Sequence, residues 1–283
     1  MTPSAYRNFW ARVGERFPDL AGAVSTQYYS DNEQRLFTEH FPALDGLKIL
    51  KTDLWDEAKN TRILAWASRQ GARAYGVDIS EPTVTQARAA FGTNGAAPPG
   101  PHDGNCRHGL LSAIGDVREL PFRDASFDAI YSMGTIEHFD ETERAVEEMA
   151  RVLKPGGRAI VGVPNRYDPF LRPLFATALQ AVGLYGYGYE KSYSRRALKQ
   201  MLERAGLDVV AETAILFIPG WLRMLDLACH AWCRPFAAVT GALVRPFVFL
   251  DRHVPAVRRH GYLLATVVLK PTSSPGQNTP TCG

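Results

Sequence analysis

Short apolar runs alternate with helical patterns along this chain, and that alternation constrains the fold more than any other feature. Residues 48–53, 72–77, 110–115, 128–133 and 158–163 read as strands. Between them, 58–69 carries Ala58, Ile63 and Ala67 at helical spacing. Ser80-Glu81-Pro82 starts a further helix, with Ser80 as N-cap and Val84, Ala87 and Phe91 on one face. Residues 142–153 pair apolar positions at Ala145/Val146, Met149/Ala150 and Val152/Leu153, and Pro155-Gly156-Gly157 ends that helix. A helix capped by Ser194 and stopped by Gly206 follows, and 207–217 and 262–269 are β-rich. The expected class is α/β, a doubly wound and mostly parallel sheet covered on both faces.

The organisation around this core is uneven. Residues 1–45 form an N-terminal helical cap, in which Asp31 and Gln34 make a capping box opening a helix through His40. The core runs over 46–217, and 92–109, with five Gly and three Pro, is a flexible insertion. Residues 218–260 are inserted amphipathic helices, 261–270 the last strand and 271–283 a disordered tail.

Composition rules out several classes. With 46% apolar and 22% charged residues the chain is no fibre, coiled coil or disordered polymer. The four cysteines, Cys106, Cys229, Cys233 and Cys282, lack the paired spacing of a metal site, so no metal and a reducing cytoplasm are expected. No signal peptide is read in the first 20 residues. The longest uncharged run, 173–189, falls short of the ~20 apolar residues that span a bilayer. The net charge of +3 conceals an asymmetry, because 191–283 holds twelve Lys/Arg and five Asp/Glu. Arg residues in that third are interleaved with large apolar ones, which suits an anionic membrane surface better than a nucleic acid.

In open parallel sheets ligands bind beyond the carboxyl ends of the strands. Here those ends carry Asp53, Asp78, Asp116 and Ser132-Met133. Asp78 can accept hydrogen bonds from both hydroxyls of an adenosine ribose, and Asp116 from an adenine amine. Each is also an ordinary turn or cap residue. Their succession at neighbouring strand ends favours a nucleoside pocket.

Gly76-Val77-Asp78-Ile79-Ser80, GDVRELPFRDASFDAIYSMGTIEHF (115–139) and ARVLKPGGRAIVGVPN (150–165) together resemble the class I S-adenosylmethionine-dependent methyltransferases. The resemblance is nearest to the subgroup of quinone-biosynthesis and other small-molecule methyltransferases. It implies a seven-stranded sheet whose antiparallel last strand is GYLLATVVLKP (261–271). It implies S-adenosyl-L-methionine as cofactor, with Asp78 on the ribose, Ile79 on the adenine and Asp116 and Val117 at the adenine edge. Ser132 and Met133 would lie under the methionine portion, with Glu137-His138 near the methyl group.

The chain departs from the family at the first motif. An acidic residue and a glycine-rich turn are usual there, whereas 47–70 contains no glycine. Asp53 is read as the acidic position. Three arrangements fit. Asp53, Asp56 and Glu57 could take the cofactor's ammonium and Asn60 its carboxylate. The acids could instead favour the positive end of the following helix. Or cofactor binding is lost and the protein is an inactive scaffold or regulatory partner.

The expected reaction is methyl transfer to a small, lipid-like acceptor, with His138 as base because imidazole titrates near neutrality. Tyr28 and Tyr29, and Tyr187 and Tyr189, are the candidate acceptor walls. Residues 217–257, rich in Trp, Phe and Arg, would contact the inner membrane face, cover a lipophilic substrate or form a homodimer interface.

Overall fold

The computed structural model describes residues 3–94, 109–183 and 185–272. It contains a seven-stranded sheet in the order β3-β2-β1-β4-β5-β7-β6. These strands are β1 (Lys48–Lys51), β2 (Arg73–Asp78), β3 (Leu111–Ile114), β4 (Phe127–Met133), β5 (Leu153–Pro164), β6 (Asp208–Ile215) and β7 (Leu263–Leu269). The first five pair in parallel, and β7 inserts antiparallel between β5 and β6. The strand order reverses between β1 and β4, which opens a crevice at their carboxyl ends.

The central strands are apolar because helices cover both of their faces. Ile49 and Leu50 are fully buried on opposite sides of β1 and belong to two separate cores. One core packs against α2 (Val24–His40) and α4 (Ile63–Arg69), and the other against α6 (Thr142–Val152) and α8 (Arg195–Arg204). The remaining helices are α1 (Pro3–Arg16), α3 (Trp55–Lys59), α5 (Glu81–Asn94), α7 (Arg172–Ala181), α9 (Gly220–Trp232) and α10 (Arg234–His253).

Several boundaries differ from the sequence reading. The expected helix over 58–69 is two helices, α3 and α4, broken where Arg62 adopts a left-handed φ of 57°. The capping box at Asp31 and Gln34 does not exist. Helix α2 begins at Val24, and Gln34 Nε2 donates to Ser30 Oγ within it. Pro155-Gly156-Gly157 lies inside the irregular start of β5, where pairing jumps from Phe127–Leu153 to Ala129–Arg158. Helix α7 has no counterpart in the sequence reading. The Ser194 cap is as expected, its Oγ accepting from Ala197 N at 3.2 Å. Most of the 92–109 insertion, nearly all of the expected tail, Cys106 and Cys282 lie outside the described residues.

The segment between β6 and β7 clamps onto α2. Asp226 of α9 accepts from Ser25 N at 2.8 Å, at the start of α2, and from Thr240 Oγ1 of α10 at 3.0 Å. Arg35 of α2 pairs with the buried Asp251 of α10 at 2.6 Å. Thus α2 and α9 are held together over the strand ends.

Candidate active site

A cleft of about 1140 Å³, mouth included, opens at those strand ends. Asp53, Asp78, Asp116 and Met133 reach it from the sheet, Tyr6 and Trp10 from α1, Tyr29 from α2, and Arg223 and Leu227 from α9.

The first loop solves its lack of glycine in a specific way. Leu54 is fully buried and fills the space beside Gly76 on the adjacent strand, where any Cβ would collide with Leu54 Cδ2. The loop therefore stays close to β2 because the neighbouring strand, not the loop, carries the glycine. Leu54 N then donates to Asp78 Oδ2 at 2.8 Å, and Ser80 N to Asp78 Oδ1 at 2.8 Å. A carboxylate has about four acceptor positions, so Asp78 keeps capacity for ribose hydroxyls. Burial raises its pKa to about 7, against the two N–H donors.

Strand β1 ends on Lys51, whose side chain is wholly buried. Its Nζ donates to both Asp53 carboxylate oxygens and the Asp53 carbonyl at 3.1 Å and lies 3.6 Å from Asp56. Burial opposes the ammonium, but Asp53, Asp56 and Glu57 outweigh it and raise the Lys51 pKa. Burial raises the Asp53 carboxyl despite Lys51. Thr135 Oγ1 donates to Asp53 Oδ2 at 3.3 Å.

Asp116 is spanned by Arg118, which donates to Oδ1 from Nε at 2.9 Å and to Oδ2 from Nη2 at 2.6 Å. The loop behind it is pinned by Arg151 of α6, which donates to the Leu120 and Phe122 carbonyls.

His138 packs edge-on against Trp10, with ring centroids 4.8 Å apart. Its Nδ1 lies 2.8 Å from the Tyr189 carbonyl. A carbonyl only accepts, so the proton of the neutral ring sits on Nδ1 and Nε2 keeps its lone pair. Burial lowers the His138 pKa, which favours that neutral form. The neighbouring Glu137 is buried with Oε2 unpartnered, and burial, reinforced by Glu190, holds its carboxyl well above the usual range.

The cleft wall thus carries orphaned donors and an orphaned acceptor. Trp55 Nε1, Arg223 Nε and Glu137 Oε2 have no hydrogen-bond partner among the described residues. Buried polar atoms are rarely left unpaired. A zwitterionic amino-acid group needs both kinds of partner, so these residues fit the methionine end of S-adenosylmethionine.

The methyltransferase-domain family matches residues 58–161. Residues 58–161 thus carry a methyltransferase domain, and the fold around it is that of S-adenosylmethionine-dependent methyltransferases. A probable S-adenosylmethionine-dependent methyltransferase of Mycolicibacterium smegmatis is 32% identical over 160 residues, 54% of this chain and 50% of that one. The probable chloroplastic tocopherol O-methyltransferase of Oryza sativa subsp. japonica is 35% identical over 95 residues, 34% of this chain and 24% of that one. The chain therefore spans about half the length of the first relative and a quarter of the second. A solved putative sarcosine dimethylglycine methyltransferase from Galdieria sulphuraria shares the fold, with a TM-score of 0.60 at 15% identity over 95% of this chain and 98% of that one.

Of the sequence candidates, Asp53, Asp78, Ile79, Asp116, Val117, Met133, His138, Tyr29 and Tyr187 line the methyltransferase cleft. Others do not serve it as expected. Glu57 turns away and accepts from Leu64 N at 3.0 Å, an acid at the start of α4. Asn60 does line the cleft with its amide partly engaged: Nδ2 donates one hydrogen to Asp56 at 2.6 Å and Oδ1 accepts from Thr26 at 2.7 Å, which leaves one N–H. Ser132 is fully buried and accepts from Thr52 Oγ1. Tyr28 accepts from Phe217 N, and Tyr189 is half exposed with its hydroxyl donating to Asp140. The sequence reading missed Trp10, Trp55, Arg172, Glu190 and Tyr262 as lining residues. Trp55 stands in the glycine-free motif itself, and that was the available signal.

Proposed function

We propose that the chain transfers a methyl group from S-adenosylmethionine to a small, lipid-like acceptor. One observation carries this reading: Asp78 and Asp116, at the ends of adjacent strands, open onto the same cleft as a neutral His138 with its Nε2 lone pair free. Asp78 holds the ribose hydroxyls, Ile79 packs on the adenine, and Asp53 and Glu137 face the cationic end. When bound, S-adenosylmethionine supplies a methyl group on a sulfonium that departs as a neutral thioether. His138 Nε2 takes the proton of an O–H or N–H acceptor. The chemistry therefore asks mainly for alignment and one proton acceptor.

The surface supports a lipophilic acceptor. Leu174 and Phe175 of α7 with Val182 just after it, Trp221 and Trp232 of α9, and Phe236, Val239 and Leu243 of α10 are all more than half exposed. The acidic residues of these three helices, Asp226 and Asp251, are both buried, whereas Arg234 and Arg245 are exposed. An apolar and cationic surface of this kind suits the inner face of an anionic membrane. No described helix is long and apolar enough to cross a membrane. The name of the rice relative, a tocopherol O-methyltransferase, agrees with a lipophilic acceptor.

Incubation with methyl-labelled S-adenosylmethionine and a cellular lipid extract tests the reading. Label is expected in the organic phase with the wild type and is expected to drop sharply with H138Q. Wild-type label at the level of a heat-killed control favours the scaffold reading.

A further inference from the structure

Arg223 lines the cleft, and the mechanism above gives it no task. It projects from α9, in the segment between β6 and β7, and is 9% exposed. Its neighbours are rings. The guanidinium carbon lies 5.2 Å from the Tyr29 centroid and 5.5 Å from that of Tyr262. No ion pair joins it to a carboxylate of the described residues, and Nε is buried without an acceptor.

The contrast with the neighbouring buried cations is instructive. Lys51 is committed to Asp53 and Asp56. Arg172, directly over the Tyr262 ring, is paired with Glu190 at 2.6 Å. A guanidinium cannot shed its charge, so burial without a counter-ion is costly unless a ligand supplies one. A planar fork flanked by aromatic rings matches a planar, bidentate anion.

We propose that Arg223 is the carboxylate-binding residue of the cleft, supplied by the helical segment inserted before the last strand. Asn60, with one N–H on Asp56 and its oxygen on Thr26, offers at most a single uncharged donor and no fork. Two ligands offer a carboxylate there: the methionine portion of the cofactor and an acid group on the methyl acceptor. The proposal rests on reading the cleft as a ligand site, and its test is independent of turnover.

Binding of three probes to wild type and R223M separates the cases: S-adenosylhomocysteine, 5′-methylthioadenosine, which lacks the amino-acid group, and benzoate. If the cofactor's carboxylate is bound, R223M weakens S-adenosylhomocysteine at least tenfold and leaves 5′-methylthioadenosine unchanged. If the acceptor's acid is bound, S-adenosylhomocysteine is unchanged and saturable benzoate binding is lost. R223K keeps the charge without the fork and recovers part of either loss; it carries the test if R223M does not fold. Wild-type affinities for all three probes in folded R223M overturn the proposal. So does an equal loss for S-adenosylhomocysteine and 5′-methylthioadenosine, which marks a change of cleft shape. Failure of the nucleosides to bind wild type removes the methyltransferase reading, while the benzoate arm still decides on Arg223.

Discussion

His138 Nδ1 lies 2.8 Å from the carbonyl oxygen of Tyr189. That contact does for the ring what a carboxylate does in other bases: it fixes the tautomer and leaves Nε2 able to take a proton. Tyr189 thus contributes through its backbone, while its exposed ring stays outside the cleft. The account predicts that H138Q lowers methyl transfer to an O–H acceptor by roughly 10²–10⁴-fold. Burial lowers the His138 pKa, so wild-type rate should rise with pH through a value below 6.5 and then level off. An unchanged acid limb in H138Q would remove His138 from the role.

Burial places Asp78 and Glu57 each near a pKa of about 7. Both values are raised above those of the unfolded chain. Their contribution to stability is therefore complete below pH ~4 and is lost as pH rises through 7. The ligand-free protein should melt at a lower temperature at pH 8 than at pH 6, as calorimetry can show. Ribose hydroxyls favour the Asp78 carboxylate, so cofactor binding near pH 7 should release protons. Titrations in buffers of different ionisation enthalpy read that release, and proton uptake would contradict it.

Lys51 holds together the acids that replace the glycine turn. K51M leaves Asp53 and Asp56 buried without their cation and should cost about 3–5 kcal/mol in urea unfolding at pH 8. The loss should shrink at pH 6, where Glu57 is protonated. A K51M protein as stable as wild type at both values would show that the cluster is solvated.

The apolar face of α7, α9 and α10 predicts cosedimentation with anionic liposomes. Replacing Trp221, Phe236 and Leu243 by Ser should shift most of the protein to the supernatant without changing its melting temperature. All three are more than half exposed, so the fold does not depend on them. Equal pelleting of the variant and the wild type would assign this face elsewhere.

The sheet was legible in the sequence because its central strands are buried on both faces and their helices carry clear stripes. Asp78 and Asp116 were legible as cleft residues because each stands at the end of a strand, and His138 because the motif it belongs to follows the fourth strand. The first loop was read only in part. Asp53 is the acidic position of the sequence reading, but the strand ends on Lys51, and the packing of Leu54 against Gly76 joins two motifs 22 residues apart that the sequence presents separately. Arg223 reaches the cleft from α9, some 170 residues beyond the first loop in sequence, on a helix that Asp226 ties to α2. Ser132 lies outside the cleft because a polar side chain near a strand end is as easily consumed by neighbouring side chains as left for a ligand.

The central claim is that a glycine-free first motif still holds the cofactor. Isothermal titration of the full chain with S-adenosylhomocysteine tests it most directly. The account predicts a saturable one-to-one isotherm, weakened roughly 10–100-fold in D78N, which loses a charged acceptor while keeping an oxygen for Leu54 N. No heat at millimolar ligand, or an isotherm indifferent to D78N, would contradict it.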